Sequence, residues 1–170
     1  IRDRLMYIIL VRHGEAEPET DKVSNRSRRL TDKGRRQVKK SAELLKKLLG
    51  NQPLTVWASP YRRTRETAEV LVSELAGAEG VQVTDKLIQT SWALTSSQLI
   101  REGRPLILVS HQPILQSYLL SIASAGLKFA PASMAVIRYD VAWREGKLLA
   151  FLTPGLCRMI EDSYRESEEE

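Results

Sequence analysis

The chain has 170 residues and a mass of 19.2 kDa, and 42% of its residues are hydrophobic while 28% are charged. This length suits one domain with its own hydrophobic core, and this composition excludes a disordered, collagen-like or membrane-embedded protein. With Cys157 as its single cysteine, the chain cannot form an internal disulfide. The simplest expectation is therefore a reducing, cytoplasmic compartment. We also expect a monomer that does not bind membranes.

Apolar runs alternate with amphipathic stretches along the chain, which predicts alternating strands and helices. Short β-rich runs predict strands over 5–11, 54–58, 81–84 and 105–110, and a closing hairpin over 134–139 and 148–153. Helical periodicity, together with residues typical of helix ends, predicts helices over 31–49, 59–76, 96–102 and 113–125. In the second helix, Ser59 is expected as the N-cap and Pro60 as the first helical residue. After Pro154 the sequence predicts a loop.

This order of elements predicts an α/β fold. We expect a three-layer α/β/α sandwich with a mostly parallel central sheet, because strands separated by helices pair in parallel. The closing hairpin adds an antiparallel edge. We predict one domain over residues 1–160 and an acidic, disordered tail over residues 161–170.

The net charge of +5 is compatible with an anionic partner, but the distribution of charge matters more. Positive charge concentrates over residues 22–47 and again over residues 62–65. Aromatic residues do not interleave this basic cluster as a stacking platform for nucleic acid would require. We therefore predict a phosphorylated substrate rather than a nucleic-acid partner.

The chain contains two histidines, and each follows the end of a predicted buried strand. His13 follows the run YIILVR, and His111 follows the run PLILVS. Ligands of open α/β sheets bind outside the carboxyl ends of the strands. The two strand predictions therefore place both histidines at one edge of the sheet, which favours a functional pair over two structural histidines.

Arginines accompany this pair. Arg12 immediately precedes His13, and Gly14 after it permits a tight turn and close approach to a ligand. The segment SPYRRTRETA follows a further predicted strand and brings Arg63 to a helix N-terminus at the same edge. Guanidinium groups and free backbone N–H groups are suited to binding a phosphate. The pattern predicts a phosphate-binding site.

These segments together resemble the histidine phosphatase superfamily, also called the phosphoglycerate mutase-like fold. The resemblance rests on LVRHG at 10–14, LTDKG at 30–34, SPYRRTRETA at 59–68 and VSH at 109–111, which occur in the order of that family. It implies a phosphoglycerate mutase-like sandwich and spans most of the chain.

The resemblance also implies roles for individual residues. His13 would be the nucleophile that takes the phosphoryl group, and Arg12, Arg63 and His111 would hold its oxygens, with Gly14 in the binding loop. A neutral imidazole can form such a covalent intermediate, and arginines can stabilise the transferred charge without a metal. We therefore expect no metal and no cofactor.

Neither usual proton donor of the family is evident. Mutase-type members take a glutamate from an insertion, whereas the stretch 81–105 is short here and has Glu102 as its only glutamate. The acid phosphatase branch has an aspartate directly after the second histidine, where this chain has Gln112. The small size and the missing acid resemble the SixA-type phosphohistidine phosphatases.

That resemblance implies a phosphorylated, histidine-containing phosphocarrier domain as partner. Arg26, Arg28 and Arg29 form a basic loop that could steer an acidic partner, or could be only a solvated face. Two other functions stay open. One is a small-molecule phosphomonoesterase for a sugar or nucleotide-like phosphate, with Glu15, Glu17 or Glu66 as acid. The other is a phosphate-binding regulator with little turnover.

Overall fold

The computed structural model describes residues 5–100 and 104–168, and these residues contain six strands and five α-helices. The strands in chain order are β1 (Leu5–Arg12), β2 (Leu54–Ala58), β3 (Ala78–Val83), β4 (Leu106–Ser110), β5 (Met134–Asp140) and β6 (Glu145–Leu152). The helices are α1 (Asp32–Leu49), α2 (Arg62–Glu74), α3 (Trp92–Leu99), α4 (Ile114–Ala123) and α5 (Pro154–Glu168). None of these helices combines the length and apolar character needed to cross a membrane.

All six strands belong to one sheet in the order β3-β2-β4-β1-β5-β6. The pairs β3–β2, β2–β4 and β4–β1 are parallel, whereas β1–β5 and β5–β6 are antiparallel. The prediction of a mostly parallel sheet with an antiparallel edge is therefore confirmed. Because β1, β2 and β4 are adjacent and parallel, their carboxyl ends meet at one edge of the sheet.

The sheet lies between two helical layers, each with its own apolar cluster. Alternate residues of β1 and β4 point to opposite faces, as the two-residue period of a strand requires. Ile9 and Val109 pack with α1 and α2, whereas Leu10 and Leu108 pack with α3 and α4. Both central strands are buried on both faces, which explains their uninterrupted apolar sequences. The three-layer sandwich is the predicted fold class.

Two predicted helix starts are wrong. Helix α2 begins at Arg62 with Tyr61 as its N-cap, so Ser59 does not cap it. The Ser59 hydroxyl instead contacts the Thr64 hydroxyl and the His111 ring, both at 2.7 Å. Helix α3 begins at Trp92, four residues before the predicted start, because the Ser91 side chain accepts from a backbone N–H in its first turn. The remainder of the predicted 96–102 helix includes Glu102, which lies outside the described residues.

The prediction of a loop after Pro154 is also wrong, because this segment forms α5 and contacts α1. Pro154 occupies the first helical position, where its missing N–H costs nothing. The Thr153 hydroxyl accepts from Leu156 N at 3.2 Å, and Cys157 is fully buried. The helix continues to Glu168, through most of the predicted disordered tail. The division of the chain at residue 160 stays a prediction.

Candidate active site

The carboxyl ends of three parallel strands bring the predicted site residues together. Arg12 ends β1, His13 follows it, and His111 directly follows β4. The backbone N–H of His13 donates to the carbonyl of Ser110 at 3.3 Å, which joins the two strand ends. The imidazole rings of His13 and His111 lie 5.4 Å apart between centroids. Arg63 reaches both rings from the first turn of α2.

The hydrogen bonds of His13 define its tautomer. Nδ1 lies 2.7 Å from the carbonyl oxygen of Gly14, which can only accept, so Nδ1 carries the proton. Nε2 accepts from Nε of Arg63 at 3.1 Å and therefore holds the lone pair. The pKa of His13 is lowered to about 3, mainly by burial and also by the charges of Arg63 and Arg12, while the hydrogen bond to Gly14 acts in the opposite direction. His13 is thus a neutral imidazole with a nucleophilic nitrogen.

His111 is also neutral and makes two hydrogen bonds. Its Nδ1 accepts from Nη2 of Arg63 at 3.2 Å, and its Nε2 lies 2.7 Å from the hydroxyl of Ser59. The pKa of His111 is lowered to about 3, mainly by burial and then by electrostatic repulsion from Arg63 and His13. Both imidazoles therefore direct an unprotonated nitrogen toward the same guanidinium.

Arg63 is 5% exposed, and all three of its guanidinium nitrogens make hydrogen bonds. Besides the two imidazoles, its guanidinium donates from Nη1 to the carbonyl oxygen of Asn25 at 2.6 Å. The pKa of Arg63 is lowered to about 10, mainly by burial and secondly by the charge of Arg28, whereas Tyr61 and Glu19 act in the opposite direction. Arg63 therefore stays protonated at neutral pH and offers a cationic edge to an anion.

Arg12 has an unused donor at the site. Its Nη1 donates to the carbonyl oxygen of Phe129 at 2.6 Å, but its buried Nε makes no hydrogen bond within the described residues. Burial, and secondly the charge of Arg28, lower the pKa of Arg12. A buried guanidinium N–H without an acceptor is costly, and an oxyanion would satisfy it. This geometry suits the predicted phosphate-binding role of Arg12.

Gly14 is required by the close approach of α1. A Cβ at Gly14 would lie 2.7 Å from the carbonyl oxygen of Gly34, and a Cβ at Gly34 would lie 2.0 Å from that of Glu15. The Gly14 N–H donates to the hydroxyl of Thr67 at 3.1 Å. The two glycines thus let the loop after His13 lie directly against α1 and α2.

Besides Ser59, whose hydroxyl contacts His111, the site includes Arg28 and Tyr61, which were not predicted as members of it. The charge of Arg28 lowers the pKa of both histidines, although the sequence suggested only a steering role. The ring of Tyr61 lies 4.7 Å from that of His111 and contacts the Arg63 guanidinium at 4.8 Å. Nothing in the local sequence distinguishes Arg28 from Arg26 or Arg29. Only the folded loop brings the charge of Arg28 close enough to lower the pKa of the histidines.

The three carboxylates predicted as possible acids are bound elsewhere. Glu66 accepts from Leu30 N, from Arg35 and from Arg62 at 2.9 to 3.0 Å. Glu15 accepts from Lys33 and Thr31 at 2.8 and 3.0 Å, and these two hydrogen bonds lower its pKa.

Glu17 contacts the backbone N–H and the guanidinium of Arg29 at 3.2 and 3.4 Å. Gln112, the neighbour of His111, donates to Gln116 at 3.0 Å. The glutamates therefore shape the loop between β1 and α1 rather than face the histidines. The part of the chain that the structure describes also contains no group of three or more histidine, cysteine or acidic side chains that could hold a metal ion.

Comparison with known proteins identifies a family. Residues 8–105 match the family model of the histidine phosphatase superfamily (branch 1). A curated relative, the fructose-2,6-bisphosphatase of Saccharomyces cerevisiae (strain ATCC 204508 / S288c), is 38% identical over 71 residues. This match covers 42% of the chain and 16% of the yeast protein, so the chain spans only a small part of that relative.

Solved structures show the same fold. The protein histidine phosphatase SixA, complexed with tungstate, superposes with a TM-score of 0.76 at 21% identity, covering 88% of this chain and 97% of that one. Phosphoglycerate mutase from Plasmodium falciparum superposes with a TM-score of 0.64 at 16% identity, covering 88% and 91%. At these identities the likeness establishes the predicted phosphoglycerate mutase-like fold and leaves the substrate open.

Proposed function

The chain belongs to branch 1 of the histidine phosphatase superfamily, and on that premise we propose that it is a metal-independent phosphatase that hydrolyses phosphohistidine on a signalling protein. The proposal starts from His13, whose Nε2 lone pair faces Arg63 at 3.1 Å. Nε2 attacks phosphorus, the bond from phosphorus to the substrate nitrogen breaks, and the electron pair stays on the leaving imidazole. Water then hydrolyses the phosphorylated His13 and releases phosphate.

Arginines supply the positive charge that this transfer requires. Arg63 presents Nε and Nη2 along one edge, which matches two oxygens of a phosphoryl group. Arg12 adds its buried Nε, which has no hydrogen-bond partner among the residues that the structure describes. Arg28 is close enough to lower the pKa of Arg12 and of Arg63. Phosphoryl transfer depends mainly on such positioning and charge stabilisation, so these side chains can replace a metal ion.

The observation that carries the choice of substrate is the engagement of Glu15, Glu17 and Glu66 in ion pairs and hydrogen bonds. An alkoxide leaving group needs a positioned acid, which is worth roughly 10²–10⁴-fold in rate. An imidazole is a far better leaving group and needs much less help. A site in which the predicted acids are already bound elsewhere therefore favours phosphohistidine over an alkyl phosphate.

A phosphorylated, histidine-containing phosphocarrier domain is the partner that fits this chemistry. Arg26 lies with its guanidinium 5.4 Å from the centre of the Tyr61 ring, which itself contacts His111. Arg26 is exposed, so the positive charge beside the histidines continues to the surface. An acidic partner surface would be attracted to this region, and added salt would weaken the attraction.

The test is phosphate release from a phosphorylated carrier domain, compared with p-nitrophenyl phosphate and a sugar phosphate. We expect fast release from the carrier and slow release from the sugar phosphate, with loss of both in His13→Ala. A preference for the sugar phosphate would overturn the phosphohistidine assignment. Tight phosphate binding without release from any substrate would instead indicate a phosphate-binding regulator.

A small-molecule phosphomonoesterase is the second candidate. It is favoured by the 38% identity to a fructose-2,6-bisphosphatase and by Glu19, an exposed carboxylate close enough to raise the pKa of Arg63. If Glu19 protonates a sugar leaving group, Glu19→Gln will slow hydrolysis of a sugar phosphate by roughly 10²-fold or more. The rate of hydrolysis of p-nitrophenyl phosphate will then stay almost unchanged. Equal rates for Glu19→Gln and the unmodified protein would count against this candidate.

A further inference from the structure

A row of two buried hydroxyl side chains, Ser59 and Thr64, leads away from His111 on the side opposite Arg63. His111 Nε2 lies 2.7 Å from the hydroxyl of Ser59, and this hydroxyl lies 2.7 Å from that of Thr64. The Thr64 hydroxyl in turn contacts the carbonyl oxygens of Tyr61 and Ser59 at 2.7 and 2.9 Å. Ser59 and Thr64 are both fully buried, so solvent does not compete for these bonds.

The direction of every hydrogen bond in this row follows from its two ends. A guanidinium nitrogen only donates, so Nδ1 of His111 must accept from Arg63 and the ring proton is on Nε2. A carbonyl oxygen only accepts, so the Thr64 hydroxyl donates to the backbone. The Ser59 hydroxyl therefore accepts from His111 and donates to Thr64. These hydrogen bonds all run in one direction, from His111 through Ser59 to Thr64. They stabilise the tautomer that leaves the Nδ1 lone pair of His111 directed toward Arg63.

This tautomer is set up for the second half of the proposed reaction, and the inference rests on that proposed function. We infer that Ser59 and Thr64 are positioning residues that hold His111 as the proton acceptor for hydrolysis of the phosphorylated His13. Water attacks phosphorus, the bond from phosphorus to Nε2 of His13 breaks, and its electron pair returns to Nε2. The water proton passes to Nδ1 of His111 and then to a phosphate oxygen.

The charges around His111 become less unfavourable to a proton once His13 is phosphorylated, as a proton acceptor for the hydrolysis step requires. In the free protein His111 faces Arg63, Arg12, Arg28 and His13, and the three arginines disfavour its protonation. The phosphoryl group brings negative charge among these arginines and offsets them, which favours a proton on Nδ1. The Ser59 oxygen stays bonded to Nε2–H in either protonation state, so the ring keeps its orientation while it gains and loses the proton.

The first experiment observes the tautomer directly. The chain has two histidines, so ¹⁵N spectra of the protein without a histidine tag contain two imidazoles to assign. We expect His111 to carry its proton on Nε2 in the unmodified protein and to show a mixture of tautomers in Ser59→Ala. Ser110→Ala is the matched control, because the Ser110 hydroxyl is equally buried beside His111 but donates to the carbonyl of Leu87 at 2.6 Å. A proton on Nδ1 of His111 in the unmodified protein would overturn the inference.

The second experiment separates the two chemical steps by rapid quench with p-nitrophenyl phosphate. In Ser59→Ala we expect hydrolysis of phosphorylated His13 to slow by roughly 10–100-fold, while its formation changes by less than about threefold. Phosphoenzyme would then accumulate in that variant and not in Ser110→Ala. Equal slowing of both steps would show that Ser59 acts only by supporting the structure, and would refute its positioning role.

Thr64→Val provides a second variant of this hydrogen-bonded row, because valine has the shape of threonine without the hydroxyl. We expect phosphoenzyme to accumulate in it as well, to a smaller extent, since Ser59 can still accept from His111. Normal hydrolysis rates in Thr64→Val would remove Thr64 from the assignment. Failure of the unmodified protein to release phosphate from any of the substrates would refute the proposed function itself, and the ¹⁵N spectra would still decide the tautomer of His111.

Discussion

The guanidinium Nε of Arg63 lies 3.1 Å from Nε2 of His13 and occupies the lone pair of the proposed nucleophile. Nη2 of the same side chain donates to His111 at 3.2 Å. The phosphoryl oxygens of a substrate can take both of these hydrogen bonds, which releases Nε2 of His13 for attack. Arg63 thus connects substrate binding with the availability of the nucleophile.

Arg63→Ala is expected to lower kcat/KM by roughly 10²–10³-fold, because it removes the cation that contacts both histidines. The adjacent arginine provides the control. Arg62 donates to Glu66 at 2.9 Å and its side chain is 45% exposed, so Arg62→Ala should stay within about threefold of the unmodified protein. Steady-state kinetics on both variants tests the assignment, and a larger effect at Arg62 would contradict it.

The two histidines are expected to stay neutral well below the ordinary histidine range. Burial, together with the neighbouring arginines, lowers the pKa of both His13 and His111 to about 3, so neither ring should titrate between about pH 8 and about pH 5. The ring ¹H and ¹³C shifts should therefore stay constant over that range. A titration midpoint of about 6.5 for either ring would contradict the lowered pKa of that histidine.

The same pKa values predict how stability depends on pH. The unfolded chain takes up protons on both imidazoles as the pH falls below about 6.5, whereas the folded chain does not until about pH 3. The free energy of unfolding should therefore decrease by on the order of 1–2 kcal/mol per histidine between about pH 7 and about pH 5. Urea unfolding measures this decrease, and the double variant His13→Gln and His111→Gln should lack it.

Glu66 is expected to contribute to stability rather than to proton transfer. Its carboxylate is largely buried and accepts from Leu30 N, Arg35 and Arg62. Glu66→Ala leaves a buried backbone N–H without an acceptor and should cost about 2–3 kcal/mol in the free energy of unfolding. Glu66→Gln should keep the turnover of the folded protein within about fivefold, whereas loss of a general acid would cost roughly 10²–10⁴-fold.

Gly34→Ala is expected to reduce both stability and activity. The added Cβ would lie 2.0 Å from the carbonyl oxygen of Glu15, so α1 or the loop after His13 must move. Gly126→Ala is the control, because no atom of the described residues lies within 4 Å of its added Cβ. We expect a loss of about 2 kcal/mol or more at Gly34 and almost none at Gly126, measured by thermal unfolding with parallel assays. Equal effects would contradict the packing argument.

Local patterns in the sequence were sufficient for the fold and for the main residues of the site. Strand β2 occupies the predicted residues 54–58, and the apolar runs before His13 and His111 are the two central strands. A strand buried on both faces must be continuously apolar, and parallel strands must end at one edge. These constraints act over a few residues, so the sequence alone is enough to place Arg12, His13 and His111 at that edge.

Only the tertiary structure determines which hydrogen bonds and ion pairs these residues form with one another. Ser59 follows a strand and precedes Pro60, which locally indicates a helix cap, yet its hydroxyl binds a ring 52 positions away. Glu66 looks like a free helical carboxylate, yet it accepts from a backbone N–H 36 positions away. Such partners depend on how separate elements pack. The tautomer of His111, the engagement of the glutamates and the approach of Arg28 therefore follow only from contacts between segments that are distant in the chain.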